Sequence, residues 1–239
     1  MTENTYIIKG IVHPERAQIS FGPIHTEIVL ISTGLKLKIE LNVVLNQVTF
    51  QIQSEEEWDI YDLRNIAKRF TFDQLTMIGF IKGYAYDIEI VQILNFDKQI
   101  DFVYGIDIPY IADRNKGKDL ETELLQLRSI SHSEFGIYFH RCLNDLNMAM
   151  KHAEDTGFYC FRAIESLKQY CRYKFDIESE KEQWEKLVEI TGFEKSDIEF
   201  IREKAFPARH GDIVEITSKE RATIFESTWK IVEIFISDA

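Results

Sequence analysis

The amino-acid sequence predicts an α+β protein, in which a β-rich N-terminal half with one embedded helix precedes an antiparallel helical bundle. In the first half, apolar and polar residues alternate, as in strands that bury one face. In the second half, apolar residues recur at helical spacing after serine and threonine residues of the kind that begin helices. A polar segment around Gly117 separates the two patterns. We therefore predict a β-rich sensor or specificity domain over residues 1–116 and a helical domain over residues 117–239.

Seven segments of the first half have the alternation that is typical of strands. The clearest predicted strands cover residues 35–41, 48–52 and 84–90, and weaker ones cover residues 6–12, 16–21, 27–31 and 100–106. Gly22-Pro23 is interpreted as a turn between two of them. Ser54 and Glu57 have the spacing of a capping box, and apolar residues follow at helical spacing as far as Phe70. A second short helix is predicted over residues 72–81.

Serine or threonine followed three residues later by glutamate recurs through the second half. Such pairs satisfy the free backbone N–H groups at a helix start. They predict four helix starts, at Ser131 with Glu134, Ser179 with Glu182, Ser196 with Glu199, and Thr217 with Glu220. Two further helices are predicted over residues 120–130 and 156–174. The second of these has an apolar stripe made by Cys160, Ile164, Leu167 and Cys171.

Composition excludes several classes of protein. Among the 239 residues the formal net charge is −12, with 16 acidic against 11 basic residues in 1–116 and 24 against 17 in 117–239. Neither half has the broad basic surface of a non-specific nucleic-acid binder, so RNA binding would need a local basic patch. The three cysteines form no metal-binding pair, and no apolar run approaches the length of a membrane span. We expect a cytoplasmic protein without disulfides, metal, cofactor or membrane contact.

The segment of residues 201–212 carries the strongest chemical signal. It brings Arg202, Arg209 and His210 together at a predicted break between two helices. Pro207 is expected to end the first helix, and Gly211 permits a left-handed turn. Arginines bind phosphate oxygens, and an imidazole exchanges protons near neutral pH. The segment therefore predicts a phosphate-binding or general acid/base site.

With these residues the C-terminal half resembles the HEPN domains (higher eukaryotes and prokaryotes nucleotide-binding), especially the Apea-like branch of bacterial defence proteins. Many of them carry an arginine, four to six further residues, and a histidine often followed by glycine. His210-Gly211 matches the histidine end, Arg202 is the candidate arginine, and the helix around Glu165 is similar to the family's early helix with its buried acidic position. The resemblance implies a homodimer and a composite, metal-independent ribonuclease site in a defence or toxin system.

The motif departs from the family pattern. Seven residues separate Arg202 from His210, one more than the pattern has, and Glu203 stands where asparagine, aspartate or histidine is frequent. Arg209 is the second candidate for binding phosphate. Three functions stay open: an RNA-cleaving effector, a non-catalytic module for dimerisation or ligand binding, and a nucleotide-binding regulator. The structural alternative pairs Arg202 with Glu165 and uses His210 to cap a helix end.

A homodimer through the helical half is the expected assembly. Besides the resemblance, the amphipathic helices suggest it, because their apolar faces include Phe158, Phe161 and Tyr170.

Overall fold

The chain folds into two compact units, which comprise residues 1–106 and 107–239. The computed structural model describes residues 4–30, 34–105, 108–212 and 216–238. An antiparallel sheet precedes a set of helices, so the predicted α+β class is confirmed. The division lies ten residues before the predicted one, because helix α2 (Pro109–Arg114) buries Ile111 in the core of the helical unit. Ile31 and Ile106, at the ends of two predicted strands, lie outside the described residues.

The N-terminal unit is a six-stranded antiparallel sheet with one long helix. Its elements are β1 (Asn4–His13), β2 (Phe21–Val29), β3 (Lys36–Val44), β4 (Gln47–Ser54), α1 (Ile60–Lys82), β5 (Asp87–Asn95) and β6 (Ile100–Val103). The strand order across the sheet is β2-β3-β4-β1-β5-β6. Alternate residues of β1, β3, β4 and β5 are buried, and they form one core with the apolar stripe of α1. Tyr6, Phe50 and Leu75 are completely buried there.

Helix α1 differs from the prediction in its start and in its length. It is one continuous helix of 23 residues, where the sequence suggested two shorter ones. The Asp59 carboxylate, and not Ser54, caps it by accepting hydrogen bonds from the backbone N–H groups of Tyr61 and Asp62. Ser54 is the last residue of β4, and its hydroxyl accepts hydrogen bonds from Trp58 Nε1 and Glu56 N. The predicted capping box at Ser54 was therefore wrong.

Two predicted strands and one predicted turn are also displaced. Residues 16–20 form no strand, because the Asn46 side chain holds this connection by accepting from Ile19 N and donating to the Val12 carbonyl. Gly22-Pro23 lies inside β2, at a shift of register against β3. The strand predicted over residues 84–90 begins at Asp87, because α1 continues to Lys82.

The C-terminal unit consists of helices that pack around α5. Besides α2 they are α3 (Leu120–Ser131), α4 (Gly136–Lys151), α5 (Thr156–Lys174), α6 (Glu180–Thr191), α7 (Lys195–Arg209) and α8 (Ser218–Asp238). The predicted bounds of α5 are confirmed, and its predicted apolar stripe is completely buried. Phe161 stacks on Trp184, and Tyr170 packs against Phe235. Both aromatic residues therefore pack mainly in the core of their own chain.

The four predicted helix starts of this unit had different outcomes. Two are confirmed: Ser179 accepts from Glu182 N before α6, and Thr217 exchanges hydrogen bonds with Glu220 before α8. Near Ser196 a helix does start, but at Lys195 and with Glu194 as its N-cap residue, so only the cap was wrong. The start at Ser131 was wrong, because Ser131 is the last residue of α3. None of the described helices is long and apolar enough to cross a membrane.

Candidate phosphate-binding groove

The C-terminal end of α7 holds the residues that the sequence singled out. Pro207 lies inside the helix, which continues to Arg209, so the prediction that the proline ends it was wrong. The proline removes one intrahelical hydrogen bond and crowds the carbonyl four residues earlier, but the helix ends two residues later, so few further bonds are affected. Gly211 then adopts the predicted left-handed conformation, with φ of 84°. Its N–H binds the Ala208 carbonyl, while Asp212 N–H binds the carbonyl of Pro207, and this pair of bonds is a Schellman termination.

A groove of about 360 Å³ lies between α5 and α7. Each helix contributes four side chains at positions i, i+3, i+4 and i+7, which form one stripe on the surface of a helix. The lining residues are Phe158, Phe161, Arg162 and Glu165 from α5, and Arg202, Ala205, Phe206 and Arg209 from α7. Three arginines, one glutamate and three phenylalanines thus converge. A groove of this size and composition has room for a phosphate-bearing group and a planar ring.

A close contact at a glycine brings α5 and α7 together near this groove, and a partly exposed ion pair joins α7 to α8. A Cβ atom on Gly157 would lie 3.0 Å from the backbone carbonyl and the Cβ of Lys204, so a larger residue would have to push α5 and α7 slightly apart. Lys204 Nζ in turn binds Glu220 Oε1 at 2.6 Å. Because Glu220 is also the capping partner of Thr217, α7 is fixed to the start of α8 as well.

Each arginine of the groove has a carboxylate partner. Arg202 Nη1 lies 3.0 Å from Glu199 Oε1 on the same helix, and Arg209 Nη1 lies 3.9 Å from Glu165 Oε1. Glu165 therefore pairs with Arg209. The structural alternative, which paired Glu165 with Arg202, was wrong on this point. Both pairs are substantially exposed, and such pairs are weak in water. A phosphate group can compete for these guanidinium groups at small cost.

His210 lies at the rim of the groove. It is the C-cap residue of α7, its side chain is exposed, and its ring centroid lies 4.5 Å from that of Phe206. Phe206 lines the groove although 55% of its surface is exposed. The structure thus brings Arg202, Arg209 and Glu165 into one groove and places His210 beside it, while Gly211 shapes the turn that follows.

Beyond Glu165, sequence reasoning missed the contribution of α5 to the groove, above all Arg162. Its Nη2 binds the carboxylate of Asp145 on α4, and its guanidinium carbon lies 5.0 Å from the ring centroids of both Phe158 and Tyr159. This ion pair raises the pKa of Arg162. The spacing of Phe158, Arg162 and Glu165 was visible in the sequence. The proximity of Arg162 to α7 was not visible, because it depends on how helices that are distant in the sequence pack together.

The three cysteines are buried and unpaired. Burial raises the pKa of Cys160 to about 12 and that of Cys171 to about 11. Thiols of this kind are poor nucleophiles at neutral pH. In the described part of the chain, no three histidine, cysteine, aspartate or glutamate side chains converge as a set of metal ligands.

Comparison with known proteins identifies both units. Residues 6–104 match the family profile described as the N-terminal domain of a domain of unknown function, DUF8168, and residues 124–238 match the profile of the C-terminal domain of DUF8168. No curated protein and no solved structure gives a significant match. The two family matches together span most of the chain, which therefore belongs to the DUF8168 family and contains both of its domains.

Proposed function

We propose that the helical unit is a HEPN-like effector that cleaves RNA without a metal ion. The observation that carries the proposal is the groove between α5 and α7, where Arg202 and Arg209 lie on one stripe of α7 and His210 follows at its end. Guanidinium groups bind phosphate oxygens in bidentate fashion and stabilise the charge that develops during phosphoryl transfer. An imidazole transfers protons near neutral pH.

The proposed reaction uses the RNA itself as the source of the nucleophile. The 2′-oxygen attacks the adjacent phosphorus, a base removes the 2′-hydroxyl proton, and the 5′-oxygen leaves as it takes up a proton. The products are a 2′,3′-cyclic phosphate and a 5′-hydroxyl end. His210 is the candidate for one proton transfer, and a homodimer would supply a second imidazole for the other. Arg202 and Arg209 hold the phosphate between them. No step in this scheme needs a metal ion or a cofactor.

In this proposal the β-rich unit is a sensor or specificity module for the effector. The system would serve bacterial defence or act as a toxin, in agreement with the resemblance of the helical half to HEPN domains. The three free thiols suit a reducing compartment, and we place the protein in the cytoplasm.

A second candidate function is a non-catalytic module that binds a nucleotide or another phosphate ligand, or that serves for dimerisation. The position of His210 favours it, because the imidazole stands at the rim against Phe206 and is not among the residues that line the groove. The seven residues between Arg202 and His210 favour it as well. A module of this kind would bind phosphate through the same arginines without turnover.

Cleavage of a pool of single-stranded RNA by the full-length protein, with EDTA present, distinguishes the two functions. We expect cyclic phosphate ends from the wild type, and a loss of ~10²–10⁴-fold in rate for His210→Ala. Arg202→Ala and Arg209→Ala each remove a hydrogen-bond donor. The cleavage rate should fall ~10²–10³-fold for the arginine that contacts the transition state. His140→Ala is the matched control, because His140 is also exposed on a helix of this unit but lies outside the groove.

Two measurements complete this experiment. Light scattering should give a dimer at micromolar concentration, since the composite site needs two copies. The thermal midpoint of His210→Ala should equal that of the wild type, because its ring is exposed. A wild-type dimer that cleaves no RNA in the pool would leave the binding module as the function of this unit.

A further inference from the structure

We propose that Arg162 is the principal phosphate-binding residue of the groove and that Asp145 is the residue that positions it. This inference concerns the same groove as the proposed function, but it requires binding of phosphate only and no cleavage. It assigns the leading role to a residue on α5, outside the segment of Arg202, Arg209 and His210.

The first argument is the way in which Arg162 is held. Its Nη2 binds Asp145 Oδ1, and the Asp145 side chain is only 4% exposed. The rings of Phe158 and Tyr159 lie at equal distances from the guanidinium carbon. Arginine stacks on aromatic rings and has a rigid planar fork of donors, so these contacts fix its orientation. Arg202 has no comparable support among the described residues, since its ion pair joins two exposed side chains on one helix.

The second argument is that this arrangement is a poor way to stabilise a helical bundle. Asp145 Oδ2 and Arg162 Nε are both buried, and neither has a hydrogen-bond partner among the described residues. A buried polar atom without a partner destabilises the folded state, and replacing a buried ion pair by apolar residues is often neutral or stabilising. Local violations of this kind concentrate at functional sites.

The third argument is access. The Arg162 side chain retains 36% exposure and lines the groove together with Arg202 and Arg209. Three guanidinium groups and one carboxylate face the same space, which favours an anionic ligand. Because Asp145 and the two rings already fix the guanidinium of Arg162, it loses little conformational entropy when phosphate binds. We therefore expect it to contribute more to phosphate affinity than the two arginines of α7.

Calorimetric titration of the full-length protein with inorganic phosphate and with adenosine 5′-monophosphate tests the proposal. Arg162→Lys keeps the charge but loses the planar fork, and we expect at least a ~10-fold rise in Kd for both probes. Arg141→Lys is the matched control, since Arg141 is exposed on α4 and does not line the groove. The control should bind as the wild type does. Binding of inorganic phosphate alone would indicate a phosphate site, and tighter binding of the nucleotide would add a contact to its base or ribose.

A double-mutant cycle tests whether Asp145 acts through Arg162. Asp145→Asn should weaken binding about threefold to tenfold in the wild-type background and have little effect in the Arg162→Lys background. A merely structural role would lower affinity equally in both. In case these variants unfold, the wild type offers a second measurement: the Nη–H NMR resonances of Arg162 should shift when phosphate is added.

Three results would overturn the inference: a wild type that binds neither probe, an Arg162→Lys variant with unchanged affinity, or Nη–H resonances of Arg162 that phosphate does not move. Phosphate binding without RNA cleavage would refute the proposed nuclease and leave the role of Arg162 intact. RNA cleavage that is insensitive to Arg162→Lys would support the nuclease and refute the role of Arg162.

Discussion

Arg221 should be among the most important single side chains for the stability of the helical unit. The last carbonyl groups of a helix have no partner within it. On α8, Arg221 Nη2 donates to the carbonyls of Ala149 and Met150 in the last turn of α4, at 3.0 and 2.8 Å. Its Nε donates to Thr156 Oγ1, at the start of α5, at 2.9 Å. One guanidinium group thus fastens the connection between α4 and α5 to α8.

The cost of Arg221→Ala follows from these three contacts. A hydrogen bond from a charged donor contributes ~1.5–3 kcal/mol, but the three bonds share one guanidinium group and water replaces part of them. We therefore expect a loss of about 2–4 kcal/mol in the free energy of unfolding. In a unit of this size, 1 kcal/mol corresponds to about 4 °C in the thermal midpoint. The midpoint should fall by roughly 8–16 °C.

The assay is thermal and urea unfolding of the full-length protein, followed by the helical circular dichroism signal. Arg221→Lys should lie between the wild type and Arg221→Ala, because one ammonium group cannot reach all three acceptors. Arg128→Ala is the matched control, since Arg128 is exposed in the last turn of α3 and should change stability by less than about 0.5 kcal/mol. If Arg221→Ala unfolds with the wild-type midpoint, the reasoning from helix-end carbonyls is refuted.

Three further predictions concern pH, the thiols and the domain division. Hydrogen bonds from Lys204 and from the Thr217 backbone hold the pKa of Glu220 below its ordinary value of 4.5, so its contribution to stability is complete above that pH and is lost as the pH falls through the folded-state pKa. Glu220→Gln should therefore lower the urea midpoint at pH 7, and the deficit should shrink in acid; a deficit that grows in acid would contradict the sign. The three cysteines should react with Ellman's reagent only as the protein unfolds, and fast labelling of the native protein would show that they are accessible. A fragment of residues 1–106 should have a β-type circular dichroism spectrum and unfold cooperatively. If the isolated fragment aggregates or is unfolded, the sheet needs the helical unit for its stability.

Local pattern was sufficient to predict the fold class and α5, but not the start of α1. Ser54 and Asp59 are both good N-cap residues, and the sequence around Ser54 has the better capping box. What decides between them is tertiary, because Ser54 pairs with Asn4 in the sheet and is thereby part of β4. The same competition displaced β5, whose predicted first residues follow directly on the unexpectedly long α1.

The α7 side of the groove and Glu165 on α5 could be predicted from the sequence, and Arg162 could not. Arg202 and Arg209 are seven residues apart, which places them on one face of any helix that includes both. Arg162 becomes their neighbour only because Gly157 allows the backbone of α5 to approach Lys204 on α7. No local pattern records that contact. A glycine in the first turn of an amphipathic helix is nevertheless a usable signal, because its cost in helix propensity calls for a packing reason.

The contacts that stabilise the helical unit and those that form the groove use different side chains. Arg221 fastens the end of α4 and the start of α5 to α8, and the Lys204–Glu220 ion pair joins α7 to α8. Arg202 and Arg209, in contrast, have partly or fully exposed carboxylate partners, so they contribute little to stability and stay available to a ligand. Substitutions of Arg202 and Arg209 should therefore change phosphate affinity at a nearly constant thermal midpoint. Arg162 joins the two sets, because its partner Asp145 is buried while the guanidinium reaches the groove. Substitution of Arg162 should therefore lower both the phosphate affinity and the thermal midpoint, whereas substitution of Arg209 should lower the phosphate affinity alone.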